Sequence, residues 1–376
     1  MFRQTKLLLV NERRFKGGFS LLAVSFALLV LLAGCDDEID GLTPDSNATL
    51  RMEESKFKSK TGYAKPLTSG LQGASGSTVG PDGALYVTEY AFGRISRINP
   101  KTGEIMTFAS GFPLPIFDIG GVWDVAFLGR KAYALVTLVG PELGGNPGDV
   151  VGIYRIDGPN SFTVIADIGA FSLANPPNTD FFVPTGVQYS FQSYRGAFLV
   201  ADGHHNRILH VTCNGEITEF KTFGNVVPTG LALWGNRVYM AEAGPIPHNP
   251  EDGKVVSFGP ISPIVRDVAS GARLLVDVEF NYSLSHYGRS HRGRAQWGLT
   301  LYALSQGEWD GVQEGSPAIP NDGSLLRVNK DGTFTVISDG LDRPTSLEFI
   351  RNKAYIVTLA GEVWTISNFG HPHFGL

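Results

Sequence analysis

The sequence predicts an all-β chain closed into a six-bladed β-propeller of four-stranded antiparallel blades, and three observations carry that expectation. A strand-like triplet recurs six times: Leu85-Tyr86-Val87, Ala132-Tyr133-Ala134, Phe198-Leu199-Val200, Val238-Tyr239-Met240, Leu301-Tyr302-Ala303 and Ala354-Tyr355-Ile356. A second motif, apolar at its first and fourth places, follows each triplet, as in Ile95-Ser96-Arg97-Ile98, Ile208-Leu209-His210-Val211 and Val363-Trp364-Thr365-Ile366. Tight-turn sequences such as Pro81-Asp82-Gly83, Asn214-Gly215 and Lys330-Asp331-Gly332 separate the runs, in a chain with 46 Gly and 22 Pro. Short strands with period-2 patterning and turn signals at regular spacing read as a β architecture, and a fixed repeat of this length reads as an array of blades. A β-sandwich does not repeat one four-strand unit six times.

Taken in chain order, the first element is not part of the ring. Arg3, Lys6, Arg13, Arg14 and Lys16 precede an apolar run over residues 19–32, the layout of a secretory signal. The run is short of the roughly 20 residues that a spanning helix needs. It ends in Leu32-Ala33-Gly34-Cys35, which looks like a bacterial lipobox. That resemblance implies cleavage before Cys35, acylation there and membrane attachment in the cell envelope. Two acyl chains at ~0.8 kcal/mol per buried CH₂ hold a protein stably. The expected organisation is a signal peptide over 1–34, a polar tether over 35–60 and the propeller over 61–376.

Charge sets limits on partners. The first 34 residues hold five of the 31 Lys+Arg and one of the 36 Asp+Glu, which leaves the remainder at a net charge of −9. Nothing in that balance favours nucleic acid or an anionic membrane as a partner. With Cys35 acylated, Cys213 has no mate, and it reads as a small buried hydrophobe.

Within each unit a first strand precedes the Tyr triplet, as in Pro184-Thr185-Gly186-Val187, Pro228-Thr229-Gly230-Leu231 and Pro344-Thr345-Ser346-Leu347. A fourth strand closes the unit, but the sixth unit lacks one, since only NFGHPHFGL follows Ser367. Residues 63–70 (YAKPLTSG) have its form, ending in Ser-Gly as do Ser110-Gly111 and Ser270-Gly271. The last blade is therefore expected to be completed by an N-terminal strand, which removes a free edge.

Strand alternation places the second-to-third and fourth-to-next-first loops on one face. From the middle of the Tyr triplet to the next strand is 9 residues in units one and three and 8 in unit six, but 20, 16 and 23 in units two, four and five. The long loops share that face, where binding is expected. An insertion over 281–297, with His286, Arg289, His291, Arg292 and Arg294, faces the other way.

Aligning first strands brings Gly76, Asp124, Gly186, Gly230, Asp277 and Ser346 to one position near the channel mouth, with Asp124 and Asp277 opposite each other. Aligning second strands puts Glu89, Asp202 and Glu242 at their ends on the same face. Five carboxylates at one mouth could hold Ca²⁺, bind a polar ligand, or bond to loop amides. His204, His205 and His248 lie on the same face and could join the site or bind a transition metal. There is no G-x-S-x-G, H-E-x-x-H or P-loop sequence.

The phrases VGPDGALYVTEYAFGRISRINPKTGEI, GGVWDVAF, ADIGAFSLANPP and VPTGLAL resemble the ScyD/ScyE family of bacterial propellers, over about residues 68–349. Its namesakes belong to a cyanobacterial cluster for scytonemin, whose late steps are placed in the periplasm. The family offers no catalytic motif to carry over. More distantly the chain resembles NHL, gluconolactonase and virginiamycin-lyase-like propellers. Two functional expectations follow. One is a lipid-anchored binding or scaffold module for a small molecule, glycan or envelope protein. The other is an envelope hydrolase, lactonase-like, or lyase that uses the mouth carboxylates, with or without Ca²⁺.

Overall fold

The computed structural model describes residues 64–180, 183–249, 251–285, 296–312 and 316–367. Cys35, the signal and tether segments, residues 286–295 and the tail after Ser367 lie outside the described residues. Among those described, no helix is long and apolar enough to cross a membrane.

Twenty-four strands form six four-stranded antiparallel sheets. The first blade runs from Ala74–Val79 through Leu85–Glu89 and Arg94–Ile98 to Ile105–Ser110, and the next four blades repeat this order. The sixth is built from Pro344–Ile350, Lys353–Thr358 and Glu362–Ser367, with Lys65–Ser69 as its outermost strand. Lys65 pairs with Thr365 and Ser69 with Glu362, so the N-terminal strand closes the ring as its sequence predicts.

The recurring Tyr explains how blades stack. Tyr86 meets Phe127 of the next blade edge-on at 4.9 Å, Tyr133 meets Phe198 at 4.8 Å, Tyr239 meets Phe280 at 4.9 Å, and Tyr302 lies 5.1 Å from Phe349. Such ring pairs are favourable beyond the area they bury. Leu199 stands in the third blade and packs instead with Val256 and Phe258 of the fourth. Tyr355 donates to the Pro100 carbonyl of the first blade at 2.9 Å, across the closure.

Three details depart from expectation. The segment between blades two and three contains a helix, Ile168–Ala174, capped by Asp167, whose Oδ1 accepts from Ala170 N at 2.7 Å. An acceptor at that position satisfies a donor that the helix cannot. The insertion at 281–297 is in part a long hairpin, because the strands Leu275–Ser285 and Gln296–Ser305 pair throughout. Cys213 is half-buried, and its thiol donates to the Gly196 carbonyl at 3.3 Å.

Candidate functional site: the central channel

Each inner strand has a register irregularity near the channel mouth, for example between Val122 and Asp124, Gln188 and Ser190, and Leu275 and Asp277. Just beyond it Asp124 faces Leu135, Ser190 faces Ala201, Asp277 faces Leu304 and Ser346 faces Val357. Gly76 and Gly230 lie within the same irregularity in blades one and four. From blade one to blade six the position therefore reads Gly76, Asp124, Ser190, Gly230, Asp277, Ser346, one triplet used twice. The alignment that put Gly186 in blade three is corrected to Ser190. Gly186 sits before the strand, in a turn where its N–H donates to Val183 and its φ is +72°.

The triplet is a stapling device. Asp124 Oδ2 accepts from Phe191 N of the next blade at 3.0 Å, and its Oδ1 accepts from Val125 N at 2.8 Å. Asp277 repeats this, accepting from Leu347 N at 2.7 Å and from Val278 N at 2.8 Å. Ser346 Oγ accepts from Ser77 N at 3.1 Å across the closure, and Ser190 Oγ donates to the Thr229 carbonyl. The glycines leave the space that each Asp needs. A Cβ on Gly76 would lie 2.2 Å from Asp124 Oδ1, and one on Gly230 would lie 2.5 Å from the Asp277 Cα.

Inside the ring is a cavity of about 140 Å³. Its mouth is largely apolar, with Ile119, Trp123, Tyr189, Val227, Leu274 and Leu359. The long loops of blades four and five add His248, Gln306, Ser316 and Pro317, and His248 meets Trp309 edge-on at 5.7 Å, joining the two loops. Deeper in lie four carboxyls, Asp124, Asp277, Glu279 and Glu348. The last three keep some surface open to the channel. Burial, first of all, pushes Asp277 up to about 7 and Glu279 to about 8. Glu348 and Asp124 are also raised well above the usual carboxylate range, by burial and then by the neighbouring acids. Both causes disfavour the charged form. Among the described residues none of the four has an ion-pair partner. Glu279 Oε1 accepts from its own strand, from Phe280 N at 2.9 Å.

Of the eight predicted ligand-binding residues, Asp124, Asp277 and His248 line this cavity. Glu89, Asp202 and Glu242 do not; each instead faces a base at the start of the adjacent strand. In register, Glu89 pairs with Arg94, Asp202 with Arg207 and Glu242 with Lys254. Arg94 donates to Glu89 through Nε and Nη2, both at 2.7 Å, and Gln72 N adds a bond at 2.8 Å. Arg207, fully buried, donates to Asp202 at 2.8 Å and to Glu219 at 2.8 Å. Burial pushes Glu242 up to about 7, with the Lys254 charge opposing.

His205 Nε2 lies 3.0 Å from the Val183 carbonyl and its Nδ1 lies 3.3 Å from Asp202, within the same network. His204 is buried behind the cavity wall, 3.0 Å from the Tyr189 hydroxyl. Burial, then the nearby His248, pushes its pKa down to about 3. Among the described residues no group of three or more His, Cys, Asp or Glu is arranged to hold a metal ion, so neither the Ca²⁺ nor the transition-metal expectation has a ligand set here.

Glu279 and Glu348 escaped the sequence reading. They lie two residues beyond Asp277 and Ser346, and i and i+2 on a strand share a face. The ion pairs also left a signal, since an acid stands five residues before an arginine at both Glu89–Arg94 and Asp202–Arg207.

No protein-family model matches the sequence, and no curated protein matches it. Solved structures are similar in fold. The PQQ-bound aldose sugar dehydrogenase of Streptomyces coelicolor is 13% identical with a TM-score of 0.55, over 81% of this chain and 98% of that one. The apo form of the soluble aldose sugar dehydrogenase of Escherichia coli is 14% identical with a TM-score of 0.52, over 82% of this chain and 100% of that one. Virginiamycin B lyase of Staphylococcus aureus is 13% identical with a TM-score of 0.48, over 81% of this chain and 98% of that one. At such identities the likeness is one of fold, and the chemistry has to be argued from the channel itself.

Proposed function

We propose that this chain is a lipid-anchored binding protein of the bacterial cell envelope, and that its central channel takes a small cationic or hydroxyl-rich molecule. The observation that carries this reading is the cavity itself: an apolar mouth above four carboxyls that have no ion-pair partner among the described residues. A rigid concave site with few, convergent polar groups is the usual form of a small-molecule pocket. Carboxyls with raised pKa can donate to and accept from hydroxyls while protonated, and a cation would draw them into the ionised form. Anionic ligands are disfavoured. The lipobox-like Leu32-Ala33-Gly34-Cys35 supports the anchor, and the resemblance to ScyD/ScyE supports an envelope setting.

A second reading, hydrolase or lyase, is favoured by one observation. Asp277 at about 7 and Glu279 at about 8 would hold a proton near neutral pH, as a general acid must. One experiment tests both. Monosaccharides, small protonated amines and simple lactones are screened by ligand-observed NMR and for turnover against the wild type and Glu348→Gln. Among the described residues no backbone N–H donates to Glu348, so the variant should melt no lower than the wild type yet lose binding of the amines or sugars. Turnover of a lactone that Glu348→Gln abolishes would favour the second reading. Probes that bind both proteins equally would refute a role for the channel acids.

A further inference from the structure

The net negative charge of the chain hides a segregation that appears only in the folded ring. Consider the connecting segments with one flanking residue on each side. On the face that holds the cavity mouth, the described segments carry fifteen Asp and Glu against four Arg. On the opposite face they carry eight Lys and Arg against four Asp and Glu. The exposed bases there include Lys101, Arg130, Lys131, Arg195, Arg351 and Lys353, spread around the ring from blade one to blade six. One of the four acids, Asp82, is already held by Arg97 at 2.7 Å.

A second, independent observation concerns the path of the chain. The closing strand Lys65–Ser69 ends at the segment that enters blade one on the mouth face. Its first residue, Lys65, therefore lies on the basic face, so the N-terminal end of the described ring is on that side.

We propose that the basic face docks on an anionic lipid surface, with the cavity mouth turned away from the bilayer. This rests on the proposed N-terminal anchor, which would bring the face within reach of headgroups. Basic residues near an anionic leaflet are attracted within about one Debye length, ~8 Å at physiological salt. The acidic mouth face is repelled by the same surface, so the two faces act together as an orienting dipole. The occupant is a lipid surface rather than a free phosphate, because the bases are spread over a whole face and do not converge on one point. The orientation also leaves the channel open to solutes.

The test uses the full chain bound to vesicles of phosphatidylcholine, with or without phosphatidylglycerol. A fluorophore is placed at Asn352→Cys on the basic face or at Val312→Cys on the mouth face, in a Cys213→Ser background, and a quencher is carried on lipid headgroups. Quenching at 352 is expected on the anionic vesicles, several-fold above that on neutral ones. It should disappear in 1 M salt and in Arg130→Glu/Lys131→Glu/Lys353→Glu, with each lost charge weakening the contact about fivefold. The probe at 312 should stay unquenched. A chain attached to both vesicle types but with 352 quenched equally on each, or with 312 quenched more, would overturn the docking while leaving the anchor standing. A chain that stays off both would refute anchor and docking together.

Discussion

Glu279→Gln should make this protein more stable at neutral pH, because the fold holds a proton that the unfolded chain would release. The carboxyl rises from 4.5 to about 8, chiefly through burial. For a raised acid, the folded state binds more protons than the unfolded state between the two values, so stability is lost as pH climbs through that window. At ~1.4 kcal/mol per pH unit, the cost at pH 7 is on the order of 2–3 kcal/mol. Glutamine keeps an oxygen to accept from Phe280 N and carries no charge. Urea unfolding at pH 5, 7 and 8.5 is the assay. The variant should exceed the wild type by about 2 kcal/mol at pH 7, or about 3 °C in melting temperature for a ring of this size. The two should converge toward pH 5, and the variant should show the flatter pH profile. A variant less stable than the wild type at pH 7, or one with an unchanged pH slope, would refute the account of the channel acids.

Three further outcomes are expected. Gly76→Ala and Gly230→Ala should each cost about 2–3 kcal/mol in denaturant unfolding, because the new Cβ meets both the backbone of Asp124 or Asp277 and its carboxylate, which two backbone N–H groups hold in place; a loss below about 0.5 kcal/mol would show that blades shift freely. Removing residues 64–69 should expose the Glu362–Ser367 edge and give a protein that aggregates on gentle heating, followed by light scattering; unchanged solubility and melting would mean that the ring does not need its closing strand. Cys35→Ser should leave an unprocessed precursor and abolish labelling by a fatty-acid probe, and labelling that persists in this variant would end the anchor proposal.

The readability of the site differed from that of the fold for reasons that particular residues make clear. The Tyr triplets are legible because four of the five rings pack on an aromatic ring of the next blade, so the same demand recurs around the ring. Ser190 was misplaced because blade three carries its Pro-Thr-Gly phrase four residues ahead of the equivalent strand position, and a motif match cannot see an offset that pairing decides. Glu89 and Asp202 resemble mouth ligands along the chain because a position at a strand end says nothing of the residue that pairing sets opposite it. A cross-strand base consumes both charges.

By itself the sequence determined that this is a ring of six four-stranded blades closed by an N-terminal strand. Those properties follow from local periodicity, turn chemistry and a count of strands, all of which are written along the chain. It also brought Gly76, Asp124, Gly230, Asp277 and Ser346 to one position, though not Ser190 of blade three, and the pairing alone showed that they staple the blades. Only the tertiary structure decided which acids share the channel, since Asp124, Asp277, Glu279 and Glu348 come from three blades and meet only when the ring closes. It alone decided that the charges divide between two faces, because a net charge sums over the chain while a surface potential depends on which turns point the same way.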